Sequence, residues 1–191
     1  MTAAAVSVAE RPVGSLATAI ERVLLLDPGL FFEGGHHATF ARLVRDECAR
    51  RGLGCTAVGL RRIDHPPAGI EIRNLFRTSA YAKLGYGDPL VQLRALNREV
   101  REDLSGLGPD ALRPGTLLLV PTLTSRIALG VAEWLASLPP DAPPAALILM
   151  FPPGWSGDDA ARAADLAIYT EAMRTLSELP PGRVTLFAET E

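Results

Sequence analysis

Two histidines stand side by side behind a glycine pair in the stretch Asp27-Pro28-Gly29-Leu30-Phe31-Phe32-Glu33-Gly34-Gly35-His36-His37, and the chain has only three histidines in all. Histidine is the side chain that exchanges a proton near neutral pH. Glycine lets backbone come close to a ligand with no Cβ in the way. A short apolar run precedes this stretch and helical spacing follows it, so Gly34 and Gly35 fall at the start of a helix. There the free N–H groups and the positive end of the helix dipole suit an anion such as a diphosphate. A turn that merely needs positive φ accounts for the glycines as well. His36 and His37 leave a helix about 100° apart, so they are not expected to face one ligand squarely, and a capping or core-edge role is open to each.

A second candidate, Pro121-Thr122-Leu123-Thr124-Ser125-Arg126, also follows an apolar run. Its hydroxyls and Arg126 are placed to reach the same crevice, or Thr124 or Ser125 caps the next helix. Trp155, in the loop Pro152-Pro153-Gly154-Trp155-Ser156-Gly157-Asp158, is a platform for a sugar ring or a lid on the apolar end of a sheet. The fingerprint G-x-G-x-x-G is absent. Gly29 and Gly34 have the outer spacing of a phosphate-binding P-loop, but Gly35 and His36 stand where Lys and Ser or Thr belong. There is no G-x-S-x-G elbow, so no nucleophile can be named and no catalytic residue is assigned. His65 is the only other histidine and the carboxylates show no paired spacing, so no metal site is expected. Cys48 and Cys55 lack metal-ligand spacing and read as reduced, structural thiols.

The elements that must hold these loops follow from periodicity. Strands are expected at Arg22 to Leu26, Cys55 to Leu60, Ile70 to Ile72, Gly115 to Pro121, Ala145 to Phe151 and Arg183 to Phe187. Helices are expected from about His36 to Arg51, from Asp88-Pro89 onward with Leu90, Leu93, Leu96, Val100 and Leu104 inward, after Arg126 with Val131 and Trp134 inward, and from about Asp159 to Leu179. Gly52 suits the left-handed end of the first helix. The segment from Arg73 to Gly87 has no clean period and reads as a mobile or ligand-facing loop. Strands alternating with helices at this spacing specify an α/β fold: a Rossmann-like, doubly wound, mainly parallel sheet of five or six strands, with helices on both faces in three layers. Residues 1–20 read as an arm or lead-in, and 21–191 as one domain.

The composition sets outer limits. With 191 residues, 48% of them hydrophobic, the chain can bury a sizeable core. A net charge of -3 lacks the clustered positive field that nucleic acid needs. No apolar run approaches the roughly 18 residues of a membrane span, and the start has no basic-then-hydrophobic leader pattern. A cytoplasmic protein is expected.

The strand VLLLDPGL, the loop EGGHH running straight into ATFARLVRDECARRGL, and the later VTLFAETE resemble the N-terminal, acceptor-side half of bacterial GT-B glycosyltransferases. The likeness covers residues 22–60 and 115–191. Gly34 and Gly35 match that family's glycine loop after strand one, and His36 and His37 match positions beside it. The resemblance implies a loop close to the diphosphate of a nucleotide sugar or to the sugar acceptor, and chemistry without a cofactor or bound metal. It also implies that most donor contacts, a glutamate pair among them, belong to a C-terminal Rossmann-like domain missing from these residues, so that the isolated chain is inactive. The family commonly carries a histidine in the loop after its fourth strand, where PTLTSR has none. Two other readings remain: a stand-alone Rossmann-like binding or protein-interaction module, with Arg73 to Tyr86 as its partner surface, and a small nucleotide-binding enzyme complete in itself.

Overall fold

The computed structural model describes residues 20–63, 65–151, 154 and 158–188. Trp155, the arm before Ile20 and the last three residues of the VTLFAETE motif lie outside the described residues. The elements run β1 (Arg22–Leu26), α1 (Gly35–Arg50), β2 (Gly54–Leu60), β3 (Glu71–Phe76), α2 (Pro89–Ser105), a 3-10 turn (Pro109–Leu112), β4 (Thr116–Leu123), α3 (Ala128–Ser137), β5 (Ala145–Leu149), α4 (Asp159–Ser177) and β6 (Val184–Ala188). The six strands form one sheet in the order β3-β2-β1-β4-β5-β6, and every pairing is parallel. This is the doubly wound, Rossmann-like arrangement expected from the alternation of strands and helices. Among the described residues no helix is long and apolar enough to cross a membrane.

Local chemistry sets the boundaries. The Asp88 carboxylate accepts from Leu90 N at 2.8 Å with Pro89 in the first helical turn, which starts α2. Asp158 does the same for α4 through Ala161 N. Gly52, at φ +69°, ends α1 while Leu53 N reaches back to Cys48 O at 2.8 Å.

Three strands differ from expectation, β5 only in ending at Leu149 rather than Phe151. β3 takes in Arg73 to Phe76, because an edge strand that is largely exposed carries no hydrophobic alternation to announce it. β4 runs on through Pro121 to Leu123, and its pairing with β5 shifts register between Val120 and Leu123. That irregularity accommodates a residue with no N–H to donate in the middle of a sheet.

The two faces of the sheet are unequal. Leu24, Leu26, Leu118, Val120 and Leu147 point into the main core with α2, α3 and α4 and include Trp134 among their neighbours. Leu25, Leu30, Ala38, Ala41 and Ala57 make a much smaller core under α1. Asn97 joins α2 to α3. Its Nδ2 donates to Leu93 O and Ser125 O, both at 2.7 Å, and its Oδ1 accepts from Gly130 N at 2.9 Å. The helices approach so closely there that a Cβ on Gly130 would lie 2.2 Å from Asn97 O.

Candidate functional site

The strand order reverses between β1 and β4, so their following connections diverge and leave a crevice beyond their carboxyl ends. Asp27 is the first residue past β1 and is fully buried. Its Oδ1 accepts from Gly29 N at 2.9 Å, and its Oδ2 lies 2.8 Å from Nδ1 of His37 in the first turn of α1. A carboxylate offers only acceptors, so the shared proton belongs to Nδ1 and the lone pair of His37 falls on Nε2. His37 is 7% exposed and its Nε2 has no hydrogen-bond partner among the described residues. Buried polar atoms are rarely left without one.

His37 lines a cavity of about 260 Å³ whose walls also include Asp27, His36, Phe40, Thr122, Ile148 and Met150, and its Nε2 is itself buried at the cavity's edge beside Gly29. Among the described residues that line it, none is Arg or Lys. Gly29 has a specific reason to be glycine, since a Cβ there would lie 2.1 Å from the His37 ring. The imidazole occupies the space that any other residue would fill.

His36 is exposed and is spent differently. Its Nε2 is 3.1 Å from the Tyr81 hydroxyl, which donates to Met150 Sδ at 3.3 Å. The His36 and His37 ring centroids are 4.0 Å apart, so the 100° between their backbone directions does not separate the rings. Tyr81 meets both edge-on. Loss of hydration, followed by the neighbouring His37, pulls the His36 pKa below its ordinary value. Burial, with the Asp27 charge second, pushes the Tyr81 phenol up, so it stays protonated across the neutral range.

The glycine pair is less open than the sequence suggests. Gly34 is the N-cap of α1 and Gly35 has φ +79°. The Phe32 ring packs against both, 2.7 Å from where a Cβ on Gly34 would be. That packing and the positive φ account for the two glycines without an anion.

Thr124, Ser125 and Arg126 come together at the end of β4, but toward the β3-to-α2 connection. Thr124 Oγ1 donates to Ala80 O at 2.8 Å, Arg126 Nε to Ala82 O at 3.2 Å, and Ser125 O accepts from Asn97. Neither Thr124 nor Ser125 caps α3 through its side chain, since Ile127 is the N-cap residue. Thr122, one pleat earlier, is the hydroxyl that reaches the cavity. Cys48 and Cys55 are free, and burial pushes both thiols up, Cys55 to about 12, which leaves them unreactive. Among the described residues no three of His, Cys, Asp and Glu gather into a metal-ligand set.

Sequence reasoning picked out His37 and missed Asp27, Gly29 and Tyr81. For Asp27 a signal existed: an acidic residue closing a buried strand, ahead of a helix that opens with histidine. No protein-family profile, curated protein or solved structure matches the chain.

Proposed function

We propose that this chain is the acceptor-side domain of a GT-B glycosyltransferase, in which His37 is the general base and Asp27 its orienting partner. The observation that carries the reading is a buried histidine that lines a cavity at the reversal point of the sheet, with one nitrogen held by a buried carboxylate and the other without a partner among the described residues. The acceptor hydroxyl gives its proton to Nε2, and its oxygen bonds to the anomeric carbon of the sugar. The bond from that carbon to the diphosphate breaks, and the nucleoside diphosphate leaves with the electron pair. Asp27 steadies the imidazolium that forms. Holding the two reactants in line supplies a further part of the acceleration. One displacement of this kind inverts the anomeric carbon.

The test is His37→Gln in the full-length gene product. Transfer of labelled sugar from the nucleotide donor should fall about 10²- to 10⁴-fold, with donor binding unchanged. Undiminished transfer, or a product that retains the donor's anomeric configuration, would sink the assignment. One observation favours a second reading, a module that binds a neutral ligand without catalysis: among the described residues no Arg or Lys lines the cavity. Saturable ligand binding with no transfer by the full-length product selects that reading.

A further inference from the structure

His36 lines the cavity with one ring nitrogen, Nε2, tied to Tyr81. The form of the ring is set from outside it. Met150 Sδ has lone pairs and no hydrogen, so the Tyr81 phenol is the donor across the 3.3 Å between them. A phenol has a single hydrogen to give. The 3.1 Å contact with His36 is then a hydrogen bond only if Nε2 donates to the phenol oxygen, which puts the lone pair of the neutral ring on Nδ1. Loss of hydration, with His37 second, holds the His36 pKa below its ordinary value, so near neutral pH the ring keeps that lone pair.

Tyr81 reaches His36 from a backbone held on both flanks. Ala80 O accepts from Thr124 Oγ1 at 2.8 Å, Ala82 O accepts from Arg126 Nε at 3.2 Å, and the Tyr81 N–H donates to Ser79 Oγ at 3.2 Å. Thr124 and Arg126 thus serve the cavity at one remove, each flank with its own bond. The other walls define what fits. Asp27 has both oxygens taken, by Gly29 N and by His37, so it offers no open carboxylate to an ammonium. Among the described residues that line the cavity no Arg or Lys stands ready to balance an anion. Phe40, Ile148 and Met150 are apolar, and about 260 Å³ takes a single ring rather than a drug-sized molecule.

We infer that His36 is the hydrogen-bond acceptor for a hydroxyl of a neutral, single-ring alcohol in this cavity, and that Tyr81 is the positioning residue that keeps Nδ1 free to accept. The inference rests on the cavity being the acceptor site proposed above and names the class of acceptor. It makes no use of His37 as a base.

The test compares trans-cyclohexane-1,2-diol with its dimethyl ether, which keeps the ring and the oxygens and has no hydrogen to donate. In the purified chain labelled at the histidine nitrogens, NMR should show the His36 proton on Nε2. The diol should shift the Nδ1 signal saturably and the diether should not. Followed through the Met150 methyl signal, His36→Phe should weaken the diol about 2- to 10-fold, the loss of one hydrogen bond, and leave the diether unaltered. Tyr81→Phe should let the His36 proton spread over both nitrogens and weaken the diol alone. A proton on Nδ1 in the ligand-free chain, an Nδ1 signal indifferent to the diol, or equal losses for diol and diether in His36→Phe overturns the inference. A Tyr81→Phe chain with the parent's His36 signals and diol affinity overturns the positioning role. If the diol binds through His36 while His37→Gln leaves transfer by the full-length product undiminished, this inference stands and the general base fails. If His37→Gln abolishes transfer and the diol ignores His36, the general base stands and this inference fails.

Discussion

The loops after β1 and β4 begin alike, each at the carboxyl end of a buried central strand and each rich in groups that hydrogen-bond. They end differently. Behind β4, Thr124 Oγ1, the Ser125 carbonyl and the Arg126 guanidinium are all engaged in tying the β3-to-α2 connection and α2 to the sheet. Behind β1, the same kind of network runs from Gly29 N through Asp27 to His37 and, among the described residues, stops at Nε2. A polar loop at the right end of a sheet is therefore weak evidence for chemistry. The distinguishing mark is an atom held in place by its neighbours and left with nothing to bond.

Substitutions can break this contrast from either side. The largest effect is expected from Gly29→Ala. The added methyl would sit 2.1 Å from the imidazole and must displace it, so transfer should drop about as far as on losing a general base, 10²- to 10⁴-fold. A rate within threefold of the parent would show that the ring's position is unimportant. Asp27→Asn keeps the shape and removes the charge. We expect about a 10²-fold loss with the fold retained, and nitrogen NMR should show Nδ1 of His37 no longer holding its proton. Thr124→Val should do the opposite. It leaves the buried Ala80 carbonyl without its donor, lowering stability by about 1–3 kcal/mol in urea unfolding, while kcat stays within twofold.

The smallest effect concerns His36. Its folded pKa lies below the ordinary value of about 6.5, so the folded state binds the proton less readily than the unfolded chain. The linked stability is present above about pH 6.5 and is lost as pH falls through the lower folded value. A proton NMR titration should place the midpoint below 6.5, and His37→Gln should bring it partway back, because His37 is the second cause after loss of hydration. A midpoint at or above 6.5 would contradict the packing of the two rings.

The legible parts of the molecule were those fixed by neighbours in sequence. The apolar run at β1, the Asp88-Pro89 start of α2 and the glycine end of α1 each carry their own signal, and together they specify the alternation of the fold. β3, an exposed edge, was signalled only at Ile70 to Ile72, and the strand expected to end at Pro121 runs on to Leu123 through a shift of register. The site divided along the same line. His37 stood out beside the glycines, but Asp27 read as the polar stop of a strand, since its role depends on a helix folding back over it. Tyr81 lies 45 positions from His36 and reaches it only through the tertiary fold.

One feature of the helical layer bears on how the crevice handles a guest. With Gly130 against the Asn97 backbone and the Asn97 amide bonded to both α3 and the loop before it, α2 and α3 have no room to slide. The β4 side of the crevice is a rigid jaw. The opposite jaw, α1, rests on the smaller core of Leu25, Leu30, Ala38, Ala41 and Ala57, with Phe40, Ile70, Ile72 and Leu119 packed against it. Any displacement of α1 carries the imidazole with it, because His37 sits in its first turn.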